Sequence, residues 1–256
     1  MEACEYRTDK VNENITLIQR KDGLTFGTDA YLLYAYVKSQ SKQKIGVDLG
    51  AGSGIISLLL ASKGKLSKIY AVEVQEKFCE LIKINAGNNS LADRVIPVRA
   101  DVCTLSVSDI GGEADVVFTN PPYMKNHSGK GNDCDEKNIA RREVLADIGD
   151  FCACGARLLK YGGAFYAVYR PERLARLFSA MKDSGIEPKR MTEVYPDSGS
   201  RPCLVLIEGR KGGAEGLFIT PPLIMHKNAK AKVLEDTEQL KYIYENGEFD
   251  ERYTKL

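Results

Sequence analysis

The sequence of 256 residues has no tryptophan, only two histidines, and no apolar run of about 18 residues, the length that predicts a membrane-spanning helix. Its first ten residues, MEACEYRTDK, are polar and charged, so they lack the apolar core of a secretory signal. We therefore expect a cytoplasmic protein without a membrane partner.

Clustered metal ligands are also missing from the sequence. The seven cysteines are odd in number and scattered, with no CxxC pair, which favours a reduced compartment. Cys152 and Cys154 form a CxC that could suggest a metal site, but the histidines, His127 and His226, lie in unrelated segments. We expect no metal, and small core positions for most of the cysteines.

The two signs of charge nearly balance: the sequence has 36 lysines and arginines and 35 aspartates and glutamates, which gives a formal net charge of +1. This balance does not by itself indicate a nucleic-acid partner, but a local basic patch would be enough to bind one. The 43% hydrophobic and 28% charged residues are typical of an ordinary globular protein, and the length suits one domain or one domain with a small attachment.

What the sequence does contain is a regular alternation of strand-like and helix-like segments. Strand patterns lie at 44–50, 68–74, 94–101, 114–120, 162–169, 188–196 and 201–210. Helix patterns lie at 55–63, 77–89, 141–160, 171–185 and about 235–244. This alternation predicts right-handed βαβ units and a mostly parallel sheet, with the last two strands antiparallel to each other.

A hairpin and a helix are predicted before this alternation begins. Residues 14–26 predict the hairpin, with its turn at Lys21, Asp22 and Gly23. A helix follows, capped by Thr28 or Asp29. We divide the chain into an N-terminal hairpin and helix at 1–43, a core at 44–211, and a C-terminal extension of the same domain at 212–256.

The first strand of the alternation ends in a glycine-rich turn. Ligands of parallel sheets bind outside the carboxyl ends of the strands, so residues just after each strand are site candidates. The turn is DLGAGSG at 48–54, where Gly50, Gly52 and Gly54 let a ligand approach the backbone and the next helix N-terminus. Its GxGxG spacing differs from the GxGxxG of dinucleotide sites. The alternative is a tight turn that binds nothing.

Acidic residues follow at the next two strand ends. Glu73 lies 23 residues after Gly50, close to the spacing of about 20 at which an acid accepts hydrogen bonds from ribose hydroxyls. Asp101, with the backbone of Val102, is placed to meet the amino edge of an adenine ring. Asp101 could equally cap a helix, and the sequence does not decide between the two roles.

The fourth strand end carries Asn-Pro-Pro-Tyr at 120–123. Pro121 restricts Asn120 to extended backbone, which directs its side chain out of the strand end, and the prolines hold their carbonyls in a rigid frame. Tyr123 adds a flat stacking face. The Asn120 side-chain oxygen and the Pro121 carbonyl are two acceptors that together suit a planar NH2 group on a conjugated ring.

Two acceptors on such an amine would expose its lone pair to an electrophilic methyl carbon. A strong base is not needed, because the nitrogen becomes more acidic as it attacks. Catalysis would therefore come mainly from positioning and electrostatics. The alternatives for this motif are a simple turn or a polyproline ligand, but a polyproline ligand would not be fastened to a core strand.

With these motifs the sequence resembles the class I S-adenosylmethionine-dependent methyltransferases of the NPPY group, which methylate exocyclic or amide nitrogens. More narrowly, it resembles the bacterial tRNA1(Val) adenine-N6 methyltransferases, through FGTDAYLL at 26–33, ARREV at 140–144 and SRPCLVLIEGRKGG at 200–213. The resemblance covers most of the chain. It implies a Rossmann-like α/β fold with a seven-stranded, mostly parallel sheet whose last strand is antiparallel.

The resemblance also implies S-adenosyl-L-methionine as the cofactor and tRNA as the substrate, methylated on N6 of an adenine at position 37. The catalytic motif would be Asn120, Pro121, Pro122 and Tyr123. The residues expected at the cofactor are Thr28, Asp29, Asp48, Gly50, Ala51, Gly52, Gly54, Glu73, Val74, Asp101, Val102 and Asn120. Those expected to contact RNA are Lys125, Lys130, Arg141, Arg142, Arg190 and Arg201. We expect the loop at 124–137 to be poorly ordered or displaced without RNA, and the target base to be extruded.

Other NPPY enzymes act on different nitrogens and have different layouts. Release-factor glutamine methyltransferases carry a helical domain before the glycine loop, rRNA guanine-N2 enzymes a degenerate first copy of the fold, and DNA adenine enzymes a large recognition insertion. Only 47 residues precede Asp48 and no large insertion is apparent, so tRNA is the favoured substrate. A non-catalytic nucleotide-binding or RNA-binding module would not need two acceptors aimed at one amine. The sequence predicts no oligomeric state.

Overall fold

The computed structural model describes residues 6–20, 27–38, 44–122 and 146–254. A short antiparallel hairpin comes first, formed by β1 (Tyr6–Lys10) and β2 (Thr16–Arg20). The main sheet contains β3 (Ile45–Leu49), β4 (Lys68–Glu73), β5 (Val95–Arg99), β6 (Ala114–Thr119), β7 (Leu159–Tyr169), β8 (Ile186–Tyr195), β9 (Leu204–Lys211), β10 (Phe218–Ile219) and β11 (Leu223–Ile224). Its order is β10-β8-β9-β7-β6-β3-β4-β5, and β11 also pairs with β8.

The seven long strands of this sheet confirm the predicted fold class. β5, β4, β3, β6 and β7 pair in parallel, whereas β9 runs antiparallel between β7 and β8. The two-residue strands β10 and β11 are additions from the C-terminal extension that the sequence did not predict. Because β9 is antiparallel to both of its neighbours, the carboxyl ends of β7 and β8 lie at the same sheet edge as those of β3 to β6.

Six α-helices accompany the strands in the described ranges. They are α1 (Thr28–Tyr36), α2 (Ile55–Ser62), α3 (Glu76–Asn88), α4 (Ile148–Leu158), α5 (Leu174–Asp183) and α6 (Glu238–Asn246). Asp147 caps α4, since its carboxylate accepts from the backbone N–H groups of Gly149 and Asp150. The helix predicted at 141–160 is described only from Ile148, and the predicted C-terminal helix is confirmed.

α1 begins differently from the prediction. Gly27 occupies the N-cap position, so neither Thr28 nor Asp29 caps the helix, and Asp29 lies in its first turn. At its other end, the buried ammonium of Lys65 donates to three backbone carbonyls of the last turn, at 2.8 to 3.2 Å. A buried cation there satisfies carbonyls that have no partner within the helix.

The apolar core lies on both faces of the main sheet. Val116 and Phe118 of β6 face the cluster that includes α1 and α2, while Val117 faces the one that includes α4 and α5. This alternation along one strand is the two-residue period of a sheet buried on both sides. Cys152 and Cys154 are buried in α4, and burial raises the pKa of both thiols. Cys79 and Cys203 are half-buried and Cys103 is exposed, so only two of the five described cysteines occupy the core positions expected for most of them.

The N-terminal hairpin also differs from the predicted one. The segment Thr16–Arg20 is a strand, but its partner is Tyr6–Lys10; the predicted turn at 21–23 lies outside the described residues. Asn85 of α3 clamps the hairpin by accepting from the Ile18 N–H at 2.8 Å and donating to the Ile18 and Ser53 carbonyls. The amide thereby ties the middle of β2 to the loop after β3.

Arg190 lies inside the protein and cannot contact RNA, so its predicted role was wrong. Its side chain, 1% exposed, points from β8 into a pocket closed by β9 and the C-terminal extension. The guanidinium donates to the Glu208 carboxylate at 2.9 Å and to the carbonyls of Tyr36 and Tyr253 at 2.8 and 2.9 Å. It also lies 3.8 Å from the centre of the Tyr36 ring.

Candidate active site

One cleft opens at the carboxyl ends of β3, β4, β5 and β6. Among the residues predicted at the cofactor, those that line it are Gly50, Gly52, Glu73, Val74, Asp101, Val102 and Asn120. The order of the sheet brings them together, because β3 lies between β4 and β6 and their carboxyl ends share one edge. Residues that are up to 70 positions apart in the chain thus border a single site.

The glycine loop is shaped by backbone conformation. Gly50, Gly52 and Gly54 have φ angles of +74°, +54° and +83°, in the left-handed region that favours glycine. The N–H groups of Gly50 and Ala51 donate to the Val72 carbonyl at 3.0 and 2.9 Å, which fixes the loop against β4. A Cβ atom on Gly52 would meet nothing within 4 Å, so the open cleft adjoins this backbone directly.

Glu73 holds the other side of this loop. Its side chain is 7% exposed, and its two carboxylate oxygens accept from the N–H groups of Gly52 at 3.1 Å and Gln75 at 3.0 Å. A carboxylate oxygen has more than one lone pair, so each can also accept a hydroxyl from a ligand in the cleft. The acid is therefore both an anchor of the loop and a ready acceptor.

Asp48 lies beneath the loop rather than in the cleft. Its side chain is 1% exposed and accepts a hydrogen bond from the Ser57 hydroxyl at 2.7 Å. Burial raises the pKa of the Asp48 carboxyl to about 7, against the opposing effect of the Ser57 hydrogen bonds. Direct contact with a cofactor stays a prediction for Asp48; what the structure shows is a bond between the end of β3 and α2.

The buried Asp48 carboxyl makes stability depend on pH. Because its pKa in the folded protein is raised above about 4 to about 7, its contribution to the free energy of unfolding is full below pH 4 and is lost as pH rises through 7. Asp48→Asn removes that titration. Between pH 4 and pH 8 we expect the free energy of unfolding of the wild type to fall by on the order of 2–4 kcal/mol relative to that of this variant. Urea unfolding at several pH values measures the difference, and parallel profiles would contradict it.

Asp101 borders the cleft and closes a turn rather than capping a helix, and its contact with an adenine ring stays a prediction. It lines the cleft, and its Oδ1 accepts from the Cys103 N–H at 2.8 Å, which closes the turn after β5. Val102 lines the same wall, and its carbonyl accepts from Arg157 of α4 at 2.8 Å. The wall is thus held rigid by both its own turn and the neighbouring helix.

The NPPY motif lies at the end of β6. Asn120 lines the cleft, and its Nδ2 donates to Oδ2 of Asp29 at 3.0 Å. Pro121 is buried, whereas Pro122 is exposed and borders the cleft. Tyr123 and the loop at 124–137 lie outside the described residues, and so do Lys125, Lys130, Arg141 and Arg142; their roles stay predictions.

Thr28 lines a second cavity, whereas Asp29 reaches the cleft only through its hydrogen bond with Asn120. The second cavity is lined by Thr28, Tyr31 and Tyr244 together with residues of the hairpin turn, and among the described residues it shares no lining residue with the cleft. The Tyr31 hydroxyl donates to the Tyr244 carbonyl at 3.0 Å, which joins α1 to α6. A contact between Thr28 and a cofactor stays a prediction.

Nine residues that line the cleft were missed by the sequence reasoning. Four of them reach in with long side chains: Gln19 and Arg20 at the end of β2, Phe78 of α3 and Phe151 of α4. The position of β2 immediately before FGTDAYLL was the available signal for the first two. The aromatic residues had no signal, because each follows the apolar period of its helix and looks like an ordinary core residue.

Several further features bear on partners. Arg201 is exposed in the segment between β8 and β9, at the same sheet edge as the cleft, and its contact with RNA stays a prediction. Across the described ranges, no helix has the length and apolar character required to cross a membrane. No group of three His, Cys, Asp or Glu side chains in those ranges is placed to hold a metal ion.

Comparison with known proteins relates the chain to a family. The sequence profile described as "Methyltransferase small domain" matches residues 21–180. The tRNA1(Val) (adenine(37)-N6)-methyltransferase of Cronobacter sakazakii is 30% identical over 71% of this chain and 73% of its own length. That of Phocaeicola vulgatus is 27% identical over 76% and 80%. A predicted O-methyltransferase from Agrobacterium tumefaciens has the same fold, with a TM-score of 0.69 at 20% identity, over 87% of this chain and 98% of its own.

Proposed function

The chain belongs to the methyltransferase small domain family, and from that premise we propose that it methylates N6 of an adenine in tRNA, at position 37 of tRNA1(Val), with S-adenosyl-L-methionine as methyl donor. The observation that carries the proposal is the Asn120 amide, held at the end of β6 in the same cleft as the glycine loop and Glu73. Relatives that match over most of their length bear this activity in their names. A tRNA substrate also agrees with the cytoplasmic location expected from the sequence.

The residues of the cleft fit S-adenosyl-L-methionine. The open space beside Gly52 admits a ligand against bare backbone, and the Glu73 carboxylate beside it suits ribose hydroxyls. Asp101, Val102 and Phe151 form the wall where an adenine ring would lie. Bound in this cleft, the cofactor would supply an electrophilic methyl group on a sulfonium.

The chain itself contributes acceptors for the target amine. The Asn120 side-chain oxygen and the Pro121 carbonyl each accept one N–H of the exocyclic amine. These two hydrogen bonds favour a pyramidal nitrogen, whose lone pair is less delocalised into the ring and is available for attack. The nitrogen becomes more acidic as its new bond forms, so no side-chain base is required. Tyr123 stacks on the target base in this proposal. The whole effect depends on the position and direction of preformed dipoles.

Methyl transfer to a defined nucleoside tests the proposal. Purified protein is incubated with tritiated S-adenosyl-L-methionine and total tRNA from cells that lack this modification, and the nucleosides are then separated by mass spectrometry. We expect label in N6-methyladenosine at position 37 of tRNA1(Val). Label found only in N2-methylguanosine or in protein would overturn the substrate assignment. Absence of cofactor binding in isothermal titration would overturn the enzyme assignment as well.

Glu73 is expected to determine the affinity for the cofactor. Glu73→Ala removes the acceptor for ribose hydroxyls and also frees the Gly52 N–H, so we expect the Kd for S-adenosyl-L-methionine to rise by about tenfold to a hundredfold. Glu76→Ala is the matched control, since that carboxylate is 63% exposed and pairs with Arg99. Isothermal titration measures both. A Kd for Glu73→Ala within about threefold of the wild type would contradict the role of this acid.

A further inference from the structure

The contact between Asn120 and Asp29 fixes which way the Asn120 amide points. Nδ2 of Asn120 lies 3.0 Å from Oδ2 of Asp29. An ionised carboxylate can only accept hydrogen bonds, so the group facing it must be the amide nitrogen. The Asn120 carbonyl oxygen, on the other arm of the planar amide, is therefore turned away from Asp29.

Asp29 is itself held in place by the first turn of α1. Its Oδ1 accepts from the N–H of Ala30 at 2.9 Å. The N-cap residue Gly27 makes room for the carboxylate, because a Cβ atom there would lie 2.8 Å from Oδ1. Gly27 has φ of −116°, which any residue can adopt, so close approach and not conformation requires glycine at this position.

We infer that Asp29 is a positioning residue that keeps the carbonyl oxygen of Asn120 directed at the target amine. This inference rests on the proposed function. A primary amide rotated by half a turn would bring its NH2 toward the amine, where two donors would face each other. The same rotation would set the amide oxygen against the Asp29 carboxylate, so the carboxylate disfavours the unproductive orientation. Asp29 thus acts through Asn120 and differs from the cofactor neighbour expected from the sequence.

Kinetics of Asp29 variants separate positioning from binding. With Asp29→Ala we expect kcat to fall by about tenfold to a hundredfold, with KM for S-adenosyl-L-methionine and for tRNA within about threefold of the wild type. The kcat of Asp29→Asn should lie between those of the wild type and Asp29→Ala, because the single side-chain oxygen of asparagine can still accept from Asn120. Gly27→Ala leaves Asp29 in the chain but displaces its carboxylate, so it should also lower kcat.

A double variant tests whether Asp29 works through Asn120. If it does, Asp29→Ala combined with Asn120→Ala is no slower than Asn120→Ala alone, within about twofold. Additive losses, or a rise of more than about tenfold in the Kd for the cofactor by isothermal titration, would overturn the inference in favour of a direct contact with the donor. Glu238→Ala is the control for loss of a first-turn acid, since this exposed residue pairs with Lys241 on α6.

The side-chain amide of Asn120 gives a readout that needs no turnover. In protein labelled with 15N-asparagine, the NH2 signal of Asn120 is identified by its loss in Asn120→Ala. We expect Asp29→Ala to shift it and to speed exchange of its hydrogens with water, while Asp29→Asn shifts it less. An unchanged signal would overturn the inference even if the enzyme is active. If instead no tRNA is methylated by the wild type but the signal responds, the proposed substrate is wrong and the Asp29–Asn120 contact stands.

Discussion

Replacing Asn120 with alanine is expected to lower kcat for methyl transfer by about a thousandfold while the Kd for S-adenosyl-L-methionine stays within about threefold of the wild type. The reason is that in the proposed mechanism Asn120 supplies one of the two acceptors for the target amine, and water does not replace a preformed acceptor with the same position and direction. The glycine loop, Glu73 and Asp101, which are the proposed contacts of the cofactor, are not touched by the substitution.

Single-turnover methylation and isothermal titration together measure this split. Asn246→Ala is the matched control, since this amide lies on α6 and donates to the Tyr242 carbonyl there. The control should keep both the rate and the cofactor affinity. An Asn120→Ala enzyme with wild-type turnover would show that the amide is not an acceptor for the reacting nitrogen, whatever the substrate is.

The strands and their ends could be predicted from sequence because both depend on local patterns. Runs such as the one at 114–120 are apolar on both faces, and the glycine and proline motifs at 48–54 and 120–123 end strands for reasons that lie within a few residues. The rule that ligands bind at the carboxyl edge then places Gly52, Glu73 and Asn120 together without knowledge of any distance. The structure places all three in one cleft.

What could not be predicted depends on contacts between distant segments. Asn120 and Asp29 are 91 residues apart, and no local pattern indicates that a first-turn acid of α1 meets the end of β6. Gln19 lies at the cleft on a hairpin that Asn85 holds against α3, again across the chain. The partner of β2 was also missed, because Tyr6–Lys10 has the charged composition of a loop and is a strand through pairing.

The burial of Arg190 is another feature that could not be predicted from local sequence. In the sequence Arg190 is one of several basic residues near the last two predicted strands, and for such residues exposure is the ordinary expectation. It is buried because the register of β8 and β9 sets it opposite Glu208, and because the extension closes over it with the carbonyl of Tyr253. Neither the register nor the path of the extension is encoded near residue 190.

The buried Arg190 leads to the second large expected effect, a loss of about 3–5 kcal/mol in the free energy of unfolding for Arg190→Met. Methionine fills similar space, but it leaves the Glu208 carboxylate, which is 2% exposed, with less compensation for its charge. It also leaves the carbonyls of Tyr36 and Tyr253 without their donor. Lys38 and Arg210 still pair with Glu208, which keeps the loss from being larger.

Urea unfolding of the Arg190 and Glu208 variants distinguishes a lost charge pair from lost packing. Arg190→Met combined with Glu208→Gln should recover part of the stability, because the uncompensated carboxylate is then absent. Arg201→Met is the control for removal of an arginine, and because Arg201 is exposed we expect its free energy of unfolding to change by less than about 0.5 kcal/mol. If Arg190→Met instead keeps wild-type stability but weakens tRNA binding, the residue must reach the surface in solution, and its exclusion from the RNA interface is wrong.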